Sequence, residues 1–152
     1  MSLQNFVNKM QIHSQDMETK LSVWKSTKKK GSKGEQITRD FLRKHNLSYK
    51  EQVSFKNLYY KSKEFPLRFD FQVWYKESWF LLEIDGGQHN KKVNWSGNLT
   101  EQEMESALQE NLERDSLKNE YCRSHNIRLE RVAWNGNKKK LIEDLTSVFR
   151  NY

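Results

Sequence analysis

The chain has 152 residues, of which 35% are hydrophobic and 12% aromatic, so it can build one domain with its own core, and wholesale disorder is not expected. No stretch approaches the roughly 20 apolar residues of a membrane span, and no signal-peptide pattern occurs. We therefore expect a cytoplasmic protein that is neither secreted nor bound to a membrane. The single cysteine, Cys122, excludes an intrachain disulfide and a cysteine-based zinc finger.

The net charge of +7 is concentrated in the first part of the chain. Residues 1–60 carry 12 basic and 5 acidic side chains, whereas residues 61–152 carry 15 of each. Five lysines form the densest part of this basic block: Lys25, Lys28, Lys29, Lys30 and Lys33. Such a block is typical of an arm that binds a polyanion, usually nucleic acid. A solvated tail that only aids solubility accounts for the charge equally well.

The first predicted elements are a helical arm and a core helix. Residues 1–24 carry a weak helical pattern and are followed by the basic block. Ser32 and Glu35 have the spacing of a capping box, in which each side chain accepts a hydrogen bond from the other residue's backbone N–H. A helix should therefore begin at about residue 33 and end near His45. The weak helical pattern and the basic block that precede this helix predict a basic N-terminal arm over residues 1–32.

Strands and helices alternate through the predicted domain, which covers residues 33–152. After the first helix, the predicted elements are strands over 49–60, 67–75 and 79–85, a helix from Thr100 to about Ser124, a strand over 127–134 and a helix over 138–149. Thr100 and Glu103 form a second capping box. The expected fold is therefore α/β, with a mixed sheet flanked by helices.

Three acidic residues of the second and third strands indicate chemistry. An even-numbered hairpin loop around Lys76 and Glu77 places Asp70 opposite Glu83, with Cβ atoms about 4.5–5.5 Å apart, and Asp85 shares their face. Like charges so close are destabilising unless a cation lies between them. Mg²⁺ and Mn²⁺ prefer carboxylate oxygens, so the pattern predicts a divalent-metal site.

Two other arrangements of the hairpin explain the same residues without a metal. An odd-numbered loop shifts the register by one residue and moves Glu83 to the opposite face. Alternatively, Asp70 and Glu83 pair with Arg68 or with a nearby lysine. The carboxylates alone do not choose between these arrangements.

Four sequence blocks resemble the Vsr-like branch of the PD-(D/E)xK nuclease superfamily: RFDF (Arg68–Phe71), LLEIDGGQH (Leu81–His89), RDSLKNEYC (Arg114–Cys122) and NIRLERV (Asn126–Val132). That branch contains very-short-patch-repair endonucleases and phage or intron homing endonucleases. The resemblance covers roughly residues 33–134. It implies a restriction-endonuclease-like core of order α-β-β-β-α-β, with the basic arm before it and a helix after it. It also implies a Mg²⁺-dependent DNA endonuclease.

The resemblance further implies the metal ligands. Asp70 and Glu83 correspond to the two metal-binding carboxylates, and the backbone carbonyl of Ile84 corresponds to a third ligand. Glu35 resembles an acidic residue of the first core helix that completes the cluster. Glu35 also fits a purely structural role as the acid of the capping box, and the two roles are compatible.

The residue that positions the attacking water is left open by the resemblance. Asp85 stands where the wider superfamily has a lysine. His89 is one substitute, because imidazole can accept or donate a proton near neutral pH. Lys118, on the following helix, is the other substitute. Lys118 also has the spacing of a helix-surface ion pair with Asp115.

The predicted partner is DNA, bound by the basic block together with Lys91 and Lys92. A double-strand cutter with one site per chain would act as a homodimer or by two successive nicks. A non-catalytic DNA-binding relative that kept the fold is the main alternative. A nuclease that acts on RNA or on junctions is another, because a fold does not dictate its substrate.

Overall fold

The computed structural model describes residues 31–87 and 97–151. Several predictions concern residues outside these ranges: the helical pattern over 1–24, the basic residues Lys25, Lys28, Lys29 and Lys30, and the loop residues His89, Lys91 and Lys92. They stay predictions. Within the described residues, the elements follow the predicted order α–β–β–β–α–β–α.

The described residues form three helices: α1 over Lys33–Lys44, α2 over Glu101–Ser124 and α3 over Lys138–Arg150. At the start of α1, the Ser32 hydroxyl accepts from the backbone N–H of Glu35, and the Glu35 carboxylate accepts from that of Ser32, both at 3.2 Å. Thr100 and Glu103 form the same box at the start of α2. Both boxes satisfy N–H groups that the first turn leaves unpaired, which confirms the two predicted helix starts.

Four strands form one mixed sheet: β1 over Ser48–Tyr59, β2 over Pro66–Tyr75, β3 over Ser78–Gly86 and β4 over Leu129–Trp134. Their spatial order is β1-β2-β3-β4, with two antiparallel pairs followed by the parallel pair β3–β4. Parallel neighbours need a crossover connection, and α2 lies in the connection between β3 and β4. The predicted α/β class with a mixed sheet is confirmed.

The sheet carries a buried hydrophobic cluster on each face. The larger cluster joins the sheet to α1 and α3 and contains Ile37, Phe41, Leu42, Phe71, Val73, Phe80, Leu82, Ile84, Val132, Leu141, Leu145 and Val148. The smaller cluster contains Leu58, Tyr60, Leu67, Phe69, Leu81 and Cys122. Cys122 is buried there as a free thiol, and its burial raises the pKa of the thiol to about 11.

The apolar residues of β2 lie on one face of the sheet before Asp70 and on the other face after it. Phe71 and Val73 lie in the larger cluster, whereas Leu67 and Phe69 lie in the smaller one. In a regular strand these alternate residues would all share one face. The strand must therefore rotate at Asp70, between Phe69 and Phe71.

The neighbouring strands are irregular at the same level. In β1, Glu51 pairs with Phe71 and Val53 pairs with Phe69, so Gln52 lies opposite Asp70. Gln52 has a φ of +52°, in the left-handed region that L-residues seldom occupy. The pairing of β2 with β3 ends at Phe71 and Leu82. The sheet therefore forks at Asp70.

Polar contacts attach α2 to the sheet. Cys122 is the one buried residue within this helix, so α2 has no continuous apolar face packed against the sheet along its length. The Tyr60 hydroxyl donates to Glu113 at 2.7 Å, and the Arg114 guanidinium lies 4.8 Å from the centre of the Tyr60 ring.

Within the described ranges, no helix has both the length and the apolar character needed to cross a membrane.

Replacement of Gly34 by alanine should destabilise the protein, because α1 lies too close to the sheet at this point for a side chain. A Cβ at Gly34 would lie 2.8 Å from Ile84 Cγ2 and 2.8 Å from Trp134 Cγ. Alanine normally favours a helix over glycine by about 1 kcal/mol, so the sign of the change is diagnostic. We expect Gly34→Ala to lower the free energy of unfolding by about 1–3 kcal/mol in urea denaturation.

Gly87→Ala is the matched control, because a Cβ there would meet no atom of the described residues within 4 Å. It should change the free energy of unfolding by less than about 0.5 kcal/mol. A Gly34→Ala protein as stable as the wild type would contradict the close approach of α1 to β3 and β4.

Candidate active site

The β2–β3 hairpin sets Asp70 against Glu83. Its loop has two residues, Lys76 and Glu77, and pairing runs from Tyr75 with Ser78 to Phe71 with Leu82. The next position along this register places Asp70 opposite Glu83. The even-numbered loop is therefore confirmed, and the one-residue shift that would separate the two carboxylates does not occur.

The two carboxylates replace backbone pairing where the strands part. Glu83 Oε2 accepts from the Asp70 backbone N–H at 3.3 Å. Asp70 Oδ2 accepts in turn from the Ile84 backbone N–H at 2.8 Å. Each acid thus bonds the main chain at the other, so the hydrogen bonds hold two like charges together at the fork.

This crowding changes the protonation of Asp70. Burial raises the pKa of the Asp70 carboxyl to about 8, and the charge of Glu83 adds to the rise. The Ile84 N–H opposes the shift, and the charge of Glu35 contributes a smaller increase. The pair therefore favours holding a proton, or another cation, near neutral pH.

Lys118 of α2 supplies one cation to the pair. Its Nζ lies 2.5 Å from Glu83 Oε1, and the two side chains are 13% and 5% exposed. The same ammonium lies 5.4 Å from the centre of the Phe69 ring. Lys118 is thus directed into the sheet, and the alternative of a surface ion pair with Asp115 is not what the structure contains.

Asp85 is neutralised separately from the other two acids. Arg131 of β4 donates to Asp85 Oδ1 at 2.9 Å and to Asp115 Oδ1 at 3.3 Å. The sequence predicted three carboxylates in one cluster, whereas the structure brings two of them together. In the parts of the chain that the structure describes, no three His, Cys, Asp or Glu residues are grouped so as to hold a metal ion.

Glu35 lies at the start of α1 and takes part in the capping box. Its charge also acts on Asp70, as the raised pKa of that carboxyl shows. Glu35 therefore has its predicted capping role, whereas its place in a metal-binding cluster stays a prediction. Lys33, the one lysine of the basic block within the described residues, is exposed in the first turn of α1.

Arg131 is the residue that sequence reasoning missed. It pairs with Glu83 in the parallel register of β3 and β4, and its guanidinium reaches the acids on both sides. One sequence signal could have pointed to Arg131: the strand predicted over 127–134 contains this arginine. Placing Arg131 required knowing that β4 pairs with β3, which composition and periodicity do not give.

Comparison of the chain with protein-family models, with curated proteins and with solved structures returns no significant match.

Replacement of Asp70 by asparagine should flatten the pH dependence of stability. The folded state keeps a proton on Asp70 that the unfolded state, with a pKa near 3.8, releases. The free energy of unfolding of the wild type should therefore fall as pH rises from about 4 to about 8. Asp70→Asn keeps an acceptor for Ile84 and loses the charge, so at pH 9 it should exceed the wild type by about 1 kcal/mol or more.

Urea denaturation in EDTA between pH 5 and pH 9 measures this effect. Glu77→Gln, which removes a carboxylate from the exposed hairpin loop, is the control and should follow the wild-type profile. If the free energy of unfolding changed with pH equally in Asp70→Asn and the wild type, ionisation of the buried Asp70 beside Glu83 would not destabilise the fold.

Proposed function

We propose that the chain is a divalent-metal-dependent endonuclease that hydrolyses phosphodiester bonds in DNA. The observation that carries this proposal is the Asp70–Glu83 pair at the fork of the sheet, with Lys118 bonded to Glu83. Two hard oxygen donors beside a half-buried ammonium are the groups that metal-assisted phosphoryl transfer needs.

The proposal includes a restriction-endonuclease-like core. The element order from α1 to β4 and the mixed sheet are compatible with it. The fork also fits, because it brings acidic side chains from two adjacent strands together. The resemblance of the four sequence blocks suggests this type of core, and the observed topology supports the suggestion.

Asp70 and Glu83 would hold Mg²⁺ or Mn²⁺, with the Ile84 carbonyl as the further ligand that the resemblance implies. The residues present fit such an ion, because their oxygens are hard donors and their like charges favour an added cation. When bound, the ion would neutralise the scissile phosphate and lower the pKa of a coordinated water.

Lys118 takes the role that a lysine two residues after the glutamate has in the wider superfamily. Asp85 occupies that position here, and Arg131 neutralises it. Because the Lys118 ammonium lies against Glu83, it can orient the attacking water and stabilise negative charge on the phosphate. His89, the other substitute, lies outside the described residues and remains a second candidate for proton transfer.

Cleavage of supercoiled plasmid DNA in Mg²⁺ or Mn²⁺ tests the proposed chemistry. We expect Asp70→Asn, Glu83→Gln and Lys118→Met each to lower the cleavage rate at least about 100-fold. The first two changes remove a proposed metal ligand, and the third removes the ammonium that would act on the phosphate. DNA affinity in EDTA should be retained, which separates chemistry from binding. Glu77→Gln is the matched control and should cleave like the wild type.

Two outcomes would replace this function with another. A wild-type protein that binds DNA and cleaves no substrate in either metal would be a non-catalytic DNA-binding relative of the fold. A protein that cleaves RNA or branched junctions and leaves plasmid intact would be a nuclease with a different substrate. If Asp70→Asn cleaved DNA as fast as the wild type, the Asp70–Glu83 pair would not be the catalytic site.

The lysine block should account for much of the salt dependence of DNA binding. Each lysine that neutralises a phosphate of duplex DNA contributes roughly −0.9 to the slope of log affinity against log salt. Replacement of Lys28, Lys29 and Lys30 by glutamine in the full chain should therefore make the slope shallower by up to about 3. Fluorescence anisotropy of a labelled duplex across KCl concentrations measures it.

Glutamine at Lys138, Lys139 and Lys140, a run of three exposed lysines at the start of α3, is the matched control. An unchanged slope in the first variant, or an equal change in both, would contradict a specific role for the N-terminal block.

A further inference from the structure

A cleft opens beside the carboxylate pair, between α2 and the loop that joins β1 to β2. Its volume is about 440 Å³, within the range of small-molecule sites. Ten residues line it: Tyr60, Glu64, Phe65, Pro66, Leu67, Arg68, Asn111, Arg114, Asp115 and Lys118. The cleft shares one residue with the candidate active site, because Lys118 lines the cleft and also bonds Glu83.

One aromatic residue of the cleft is exposed in the part of the chain that the structure describes. Phe65, in the loop between β1 and β2, is 59% exposed, more than the other large hydrophobic residues that are exposed in the described ranges. Tyr60 also lines the cleft and is buried, with the Arg114 guanidinium 4.8 Å from the centre of its ring. An exposed ring at the mouth of a cleft offers a flat apolar surface on which a planar group can stack.

Cations also line this cleft. Arg68 lies two residues before Asp70 in β2 and is exposed, and its side chain makes no ion pair or hydrogen bond with the described residues. Arg114 contacts Glu110 only at 3.7 Å, in an exposed pair. The lining acid Asp115 is already bonded to Arg131. An anionic group bound near Arg68 and Arg114 would therefore gain a charge partner in Arg68, and a second in Arg114, whose pair with Glu110 is long and exposed.

We propose that this cleft binds one unpaired nucleotide of the DNA strand next to the cleaved phosphodiester, with its base stacked on Phe65 and its phosphate at Arg68 and Arg114. This inference rests on the proposed function. It adds the form of the substrate, because a base can stack on Phe65 only when it has left the duplex. The chain therefore acts on DNA with an unpaired nucleotide beside the cut.

Fluorescence anisotropy in EDTA, with a labelled single-stranded oligothymidine as the probe, tests the stacking. Phe65→Ala should weaken binding about fivefold or more, whereas Phe65→Trp should bind at least as tightly as the wild type. Leu112→Ala is the matched control, because Leu112 is another exposed apolar residue, 44% exposed, and does not line the cleft. It should bind like the wild type.

The charges of the cleft give a second measurement with effects of opposite sign. Arg68→Gln should weaken binding and make the salt slope shallower by about 0.7, the value for one phosphate contact on a single strand. Glu64→Gln should strengthen binding, because it removes a carboxylate that lines the same cleft. Equal effects of the two variants would overturn the phosphate contact.

These outcomes separate the cleft from the catalytic proposal. Wild-type affinity in Phe65→Ala, or an equal loss in Leu112→Ala, would overturn the stacking site even if the protein cleaves DNA. An affinity that depends on Phe65 in a protein that never cleaves would keep the cleft and reject the nuclease, because no metal or cleavage enters the binding measurement.

Discussion

Asp70 and Glu83 bring two negative charges together at the point where two neighbouring strands part, and much of the described structure accommodates that contact. Each carboxylate accepts a hydrogen bond from the backbone beside the other acid, so neither can move away without leaving an N–H unpaired. Burial disfavours the charged form of Asp70 and raises its pKa. A fold optimised only for stability would avoid this arrangement, whereas a cation site needs it.

The surrounding elements divide the neutralisation of charge between two cations. Lys118 reaches Glu83 from α2, and Arg131 reaches Asp85 and Asp115 from β4. Arg131 thereby removes Asp85 from the cluster and leaves Lys118 as the ammonium beside the remaining pair. In the proposed nuclease, this division would leave Lys118 to act where Asp85 replaces the lysine of the superfamily pattern.

Local sequence signals predicted the elements well because each has a local physical cause. Ser32 with Glu35, and Thr100 with Glu103, satisfy their own helix starts, so no tertiary information was needed. The two-residue loop fixed the hairpin register and therefore the contact of Asp70 with Glu83. The irregularity at Gln52 and the rotation of β2 could not be predicted, because they depend on the packing of both sheet faces.

The candidate site was predicted in part for the same reason. The acids of the hairpin follow from register, whereas the partners of Lys118 and Arg131 depend on how α2 and β4 pack against β3. The spacing of Lys118 to Asp115 fitted a surface ion pair equally well, and only the fold chose Glu83 as its partner. The cleft at Phe65 had no sequence signal, since a single exposed aromatic residue in a loop has no periodicity.

Direct binding of Mn²⁺ tests the central claim, which is that Asp70 and Glu83 form a divalent-cation site. Electron paramagnetic resonance of free Mn²⁺, titrated with the wild type, Glu83→Gln and the exposed control Glu77→Gln, measures it without any substrate. The account predicts that the wild type and Glu77→Gln bind one Mn²⁺ equally and that Glu83→Gln binds at least about tenfold more weakly. Equal binding by all three proteins would contradict it.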